Sequence, residues 1–200
     1  MKVGIVDIGM GNLTSVKNAL DKIGMSPLLC SAPEMLSDVD SIVLPGVGAF
    51  PSAMSRLKDK EFDRSIIENV NSGKVLVGIC LGMQLLMSES EELEYTDGLN
   101  LISGGVKKFS NIGDNPIPHM GWNNIRSTKD SFIDYAGDYY FVHSYECIPK
   151  NEKNILFVCD YGKEFVAGIT NEEGVYGLQF HPEKSQAQGL ELLKTLLESC

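Results

Sequence analysis

A chain of 200 residues with 43% hydrophobic and 22% charged residues is long enough to bury its own core, and its composition is that of an ordinary globular domain. A formal net charge of -10 argues against nucleic acid or an anionic membrane as the main partner. The five cysteines, Cys30, Cys80, Cys147, Cys159 and Cys200, form no C-x-x-C pair, which speaks against a zinc ribbon or a dithiol redox site and fits a reducing cytoplasm.

Residues 1–8 read as a buried strand, and their apolar run before Asp7 is too short for a signal peptide. No stretch of the chain approaches a membrane span. After Gly9-Met-Gly-Asn12, the residues Leu13, Val16, Leu20 and Ile23 fall at helical spacing, with Gly24 as a stop. As a dinucleotide fingerprint the loop would need glycine at position 14, where Thr14 stands, so nucleotide binding is rejected. A second apolar strand, 41–44, ends in Pro45-Gly46-Val47-Gly48. Helices are expected around 51–58 and 61–72, then a third strand over 75–79 and a helix over 81–87. Strands that are apolar on both faces and alternate with helices form a mostly parallel sheet covered on both sides.

The second half changes character. Short strand-like runs at 105–109, 139–146, 155–160, 164–170 and 175–180 are separated by turn residues. A last helix, 186–198, carries Leu190, Leu193 and Leu197 on one stripe. With no repeat and no linker, 1–200 is expected to form a single α/β domain: a mostly parallel central sheet flanked by helices, with an antiparallel extension.

Cys80 stands in G-I-C-L-G where the strand over 75–79 meets a helix. A free cysteine among apolar neighbours is commonly just core. The alternative is a nucleophile elbow, in which small residues on either side allow a sharp turn that presents the sulfur near a helix N-terminus. His181-Pro-Glu183 follows the strand over 175–180. In an extended segment positions i and i+2 point the same way, so His181 could serve as base with Glu183 orienting its ring. Gly46-Val47-Gly48, at another strand end, offers backbone N–H groups to an oxyanion. Cys80, His181 and Glu183 are therefore the candidate triad. His119 and His143 match no metal-ligand spacing with His181, and no metal site is expected.

PGVG at 45–48, GICLGMQ at 78–84 and HPE at 181–183 together resemble the triad-type (class I) glutamine amidotransferases, over essentially the whole chain. The resemblance implies that Cys80 attacks the carboxamide of glutamine to give a thioester. It also implies that His181 handles the protons, that Gln84 and the backbone around Ser144 and Tyr145 hold the substrate, and that no cofactor is needed. D-x-G-M-G-N-L at 7–13, LPGVGAF at 44–50, PHMGWN at 118–123 and HSY at 143–145 are similar to one branch of that family, the glutaminase subunits of imidazole glycerol phosphate synthase in histidine biosynthesis. For this branch the expected partner is a (β/α)₈-barrel cyclase subunit that receives the ammonia, with Asn12, Trp122 and Asn123 on the docking face. Because ammonia released without an acceptor is wasted, the oxyanion loop at 46–48 is expected to be misaligned until the partner binds its own substrate. Ile8 stands where the branch usually has an aromatic residue. That departure leaves open a paralogue serving another synthase, such as one that amidates a surface sugar. A cysteine peptidase is disfavoured by Gln84, which sits four residues after Cys80 on one helix face.

Overall fold

The computed structural model describes residues 1–110 and 112–199. Its first half runs β1 (Lys2–Val6), α1 (Leu13–Lys22), β2 (Ser26–Cys30), β3 (Ser41–Gly46), α2 (Phe50–Asp59), α3 (Phe62–Asn71), β4 (Val75–Cys80) and α4 (Leu81–Leu85). The second half adds β5 (Met87–Ser90), β6 (Thr96–Asp97), β7 (Ile102–Lys108), β8 (His119–Ser127), β9 (Gly137–His143), β10 (Tyr145–Pro149), β11 (Ile155–Asp160), β12 (Glu164–Thr170), β13 (Val175–Leu178) and α5 (Gln186–Leu197).

The order β2-β1-β3-β4-β13 is parallel throughout. Beyond β13 the sheet turns antiparallel through β12 and β10 to β7, while β11, β8 and β9 branch from β12. Every residue of β3, β4 and β13 is buried, because helices cover both faces. Alternation along the strands divides the core. Val3, Ile5, Val43, Val75 and Val77 pack with Val16 and Leu20 of α1 and Leu193 and Leu196 of α5. Ile42, Leu44 and Leu76 pack with Phe50, Met54 and Leu57 of α2 and with Phe62 and Ile66 of α3. Each such fully buried side chain contributes roughly 1.5–3 kcal/mol relative to exposure. Ile8 is 1% exposed and belongs to this second layer.

Local chemistry sets the element ends. The Asn12 side chain caps α1 by accepting from the Ser15 N–H at 3.3 Å, and Gly24 leaves the helix at φ +79°, as the stop signal predicts. Two expected elements need correction. The helix after Cys80 spans only Leu81–Leu85, and Met87 already begins β5. The run at 139–146 is two strands broken at Ser144, because β9 pairs with β8 whereas β10 pairs with β7 and β12.

Candidate active site

The neighbouring parallel strands β3, β4 and β13 each deliver one part of the site at their carboxyl ends. Gly46 pairs with Cys80, and Leu178 pairs with Ile79. The cysteine therefore lies between the glycine loop and the segment that carries His181.

Cys80 has φ 56° and ψ -111°, a region that non-glycine residues rarely occupy and that costs on the order of 1–3 kcal/mol. The flanking glycines make the corner possible. A Cβ on Gly78 would lie 2.6 Å from the Gly82 carbonyl oxygen, and one on Gly82 would lie 1.8 Å from that of Leu44. The G-x-C-x-G pattern is thus a steric requirement of the turn, and Cys80 is held in a strained pose where a plain core residue would relax. Its sulfur is 3.8 Å from the Val142 carbonyl oxygen and 3.8 Å from Gln179 Nε2. Because α4 is only five residues long, its dipole is a smaller aid to a thiolate than the sequence led us to expect.

His181 is the titratable neighbour of the sulfur. Its Nδ1 is 2.8 Å from Glu183 Oε1, with both side chains almost fully buried. The two residues meet by a route other than the one expected. His181 itself is extended, but Pro182–Lys184 forms a 3₁₀ turn that folds Glu183 back onto the ring. Burial alone pushes the imidazole down, but the neighbouring Cys80 sulfur and the Glu183 carboxylate outweigh it, and the pKa is raised to about 9. Nε2 is buried and makes no close hydrogen bond, so it remains available to the sulfur and to a substrate. Ser185 fixes the backbone beneath it: Oγ donates to the His181 carbonyl at 2.7 Å and accepts from the Tyr140 N–H at 3.1 Å.

The oxyanion-loop candidates lie beside this pair. Gly46 is buried against α4, where a Cβ would come within 2.9 Å of Leu81 Cβ, and Gly48 adopts φ +101°. Val47, Gly48, Cys80, His181 and Gln84 line one cleft of about 340 Å³, a size suited to a small ligand. Ser144 and Tyr145, also expected to hold substrate, line the same cleft. Gln84 is buried and donates to Gln179 Oε1 at 3.0 Å, with the Tyr145 carbonyl at 3.5 Å.

The three docking candidates behave differently. Asn12 is exposed while it caps α1. Trp122 is 46% exposed, edge-on to Tyr140 at 6.0 Å. Asn123 is half-buried, and its amide is 2.6 Å from His119 Nε2. Among the polar residues in or beside the cleft, Gln179, Glu92 and Lys184 escaped the sequence reading. Gln179 is fully buried beside the sulfur, and its one signal is a polar residue inside an otherwise apolar strand. Glu92 lines the cleft while its Oε2 accepts from the Phe50 N–H at 2.8 Å; nothing distinguishes it within the acidic run around it. Among the described residues no group of three or more His, Cys, Asp or Glu is placed to hold a metal, and no helix is long and apolar enough to cross a membrane.

The family described as glutamine amidotransferase class-I matches residues 4–199. Among curated proteins, the imidazole glycerol phosphate synthase subunit HisH of Methanosarcina mazei is 45% identical, the match covering 100% of this chain and 99% of that protein. The protein of the same name from Methanothermobacter thermautotrophicus is 43% identical over 98% of each. Of solved structures, a glutamine amidotransferase crystal structure superposes with TM-score 0.79 at 17% identity, covering 98% of this chain and 97% of the other. A PurLQS structure from Thermotoga maritima gives TM-score 0.77 at 21% identity, with the same coverage. These two bear out the fold, an α/β architecture with a mostly parallel sheet.

Proposed function

The chain belongs to the class-I glutamine amidotransferase family, and we propose that it is a single amidotransferase domain acting as the glutaminase subunit of an imidazole glycerol phosphate synthase. The observation that carries this reading is the meeting of Cys80 and His181 at one cleft, with Glu183 hydrogen-bonded to His181, in a chain 45% identical along its whole length to a protein of that name. The relatives do not favour the surface-sugar paralogue.

The chemistry follows from the geometry. Cys80 sulfur, as thiolate, attacks the carboxamide carbon of glutamine, and the C=O electron pair moves onto oxygen. Backbone N–H groups of the Gly46-Val47-Gly48 loop are the candidate donors to that oxyanion; one such donor is worth roughly 10²–10³ in rate. The imidazolium of His181 gives its Nε2 proton to the departing nitrogen, so ammonia leaves and a glutamyl thioester remains. Neutral His181 then takes a proton from water, the resulting hydroxide attacks the thioester, and glutamate and the thiolate are released. Glu183 holds the ring in one tautomer throughout. Gln84, Ser144 and Tyr145 form the wall against which the substrate lies. Glu92 sets a carboxylate where the α-ammonium group of an amino acid needs a counter-charge.

As a synthase subunit the chain has a partner. We take it to be a (β/α)₈-barrel cyclase in the cytoplasm, which uses the ammonia to make imidazole glycerol phosphate and an aminoimidazole carboxamide ribotide. The test is glutamate release from glutamine by the chain alone and with a histidine-pathway barrel cyclase plus its nucleotide ligand. Activity is expected to rise at least tenfold, on the order of a typical coupling free energy, only with both additions, and to vanish in Cys80→Ser. Release that survives Cys80→Ser would remove the triad. Release that ignores the barrel would remove the partner.

A further inference from the structure

The chain has three histidines, and the chemistry above uses one. His119 and His143 are directly opposite each other on the antiparallel pair β8 and β9, both buried. His119 Nδ1 is 3.1 Å from His143 Nε2, Asn123 Nδ2 is 2.6 Å from His119 Nε2, and His143 Nδ1 is 2.8 Å from the Tyr145 carbonyl oxygen. Neither ring is free to turn. His119 is stacked between Phe141 at 4.7 Å and Tyr161 at 4.0 Å, and His143 packs on Phe109 at 5.1 Å.

The direction of this chain of hydrogen bonds is fixed by its last member. A carbonyl oxygen can only accept, so His143 Nδ1 carries a hydrogen. A neutral His143 then has a bare Nε2, which must accept from His119 Nδ1–H, and His119 Nε2 must accept from the Asn123 amide. Reversing the Asn123 amide would reverse every link and set a bare nitrogen against the Tyr145 oxygen. Burial favours the neutral rings this requires: it lowers the His119 pKa to about 4 and, with a smaller opposing effect from the Tyr145 bond, that of His143 to about 3.

The last bond matters because of where it falls. The chain leaves β9 and enters β10 at Ser144, passing from one branch of the sheet to the other, and both Ser144 and Tyr145 line the cleft. The Ser144 carbonyl is held by the Phe109 N–H at 3.0 Å. The Tyr145 carbonyl is held from beneath by His143.

We propose that His119 and His143 are positioning residues: a one-way relay of neutral imidazoles, starting at Asn123, that fixes the Ser144–Tyr145 backbone against which glutamine is bound. The relay rests on the glutaminase reading for its use, and on hydrogen-bond direction alone for its existence.

Two measurements test it. In the ¹⁵N-labelled wild-type chain at neutral pH, His119 and His143 are expected to be neutral, each with hydrogen on Nδ1 and a bare Nε2. Hydrogen on Nε2 of either ring, or a charged ring, overturns the relay. In the assembled synthase, His143→Phe keeps the aromatic packing and deletes both bonds. It is expected to raise KM for glutamine about tenfold, the loss of roughly one hydrogen bond, while kcat changes less than about twofold. His143→Asn retains a donor near the Nδ1 position and is expected to recover most of that loss. An unchanged KM in His143→Phe, or no recovery in His143→Asn, overturns the positioning role. Should His143→Phe fail to fold, the wild-type spectrum and His143→Asn still decide. A wild-type synthase inert toward glutamine would end the glutaminase reading instead, leaving the tautomers to decide the relay.

Discussion

The proton that His181 carries sets the pH range of the reaction. With its pKa raised to about 9, His181 stays protonated through neutral pH and is ready as the acid that ammonia departure needs. We expect kcat/KM to fall along an alkaline limb near pH 9 as that proton is lost. Glu183 is one of the two groups that raise the pKa against burial. Glu183→Gln keeps an acceptor for Nδ1–H but removes the charge, so the limb should move to lower pH. A pH profile of the variant that superposes on the wild type would take Glu183 out of this role. Stability carries the same sign. A pKa raised from the ordinary 6.5 to about 9 gives a contribution fully present below the ordinary value and lost as pH rises through about 9. The candidate triad was legible in the sequence where a part is a short-range steric statement, as with the glycines that permit the corner at Cys80, whereas the 3₁₀ turn that folds Glu183 back was not, since extended geometry was expected there. Gln179 and Glu92 were not, since each gains its place from another element, Gln179 from Cys80 and Glu92 from the start of α2.

The β4–α4 corner is where one substitution should damage a whole element. A Cβ on Gly82 would overlap the Leu44 carbonyl oxygen at 1.8 Å, and that atom is backbone of β3, which ends in Gly46. Gly82→Ala therefore has to push β3 and the oxyanion loop away from Cys80. We expect a loss of about 1–3 kcal/mol or more in urea unfolding, together with loss of glutaminase activity. Gly105→Ala is the control: its Cβ meets only ordinary contacts, nearest 3.6 Å, and its cost should stay within about 0.5 kcal/mol. Equal costs at the two sites would refute the steric account. Elements with one strong pattern were readable, and α2, α3 and α5 fall within a residue of the expected ends. Four strands went unread, β2, β5, β6 and β8, of which β5 and β6 are only four and two residues long. β2 carries Pro27 and lies at the sheet edge, half exposed, while β8 is rich in polar residues and carries Gly121. Its strand character comes from pairing with β9 and β11, not from its own alternation. The break at Ser144 was hidden for the same reason, since partner choice is a property of the sheet.

Across the whole molecule, the carboxyl ends of β3, β4 and β13 form the candidate functional end, and its surface includes apolar residues left in solvent. Val47 of the candidate oxyanion loop is 45% exposed, and Met120 and Trp122 at the start of β8 are 62% and 46% exposed. Val47 and Pro118 also line the cleft, so a partner covering this end would touch the candidate oxyanion loop. That supplies a physical route for the expected gate: docking can bear on the loop at Gly48, whose φ of +101° is a conformation that few residues other than glycine adopt. The chain holds one tryptophan, so Trp122 reports docking without a label. Titration with the barrel cyclase is expected to shift its emission to shorter wavelength as the indole leaves water. Trp122→Ala should weaken docking by roughly 2 kcal/mol or more, about thirtyfold in Kd, as truncating a central aromatic anchor does. The unfolding midpoint of the free chain should barely move, because the half-exposed indole has little burial to lose. Emission unchanged at saturating barrel would place Trp122 outside the interface. Docking and the glutaminase gate would then have to be sought around Asn12 and Val47, on the other flank of His181.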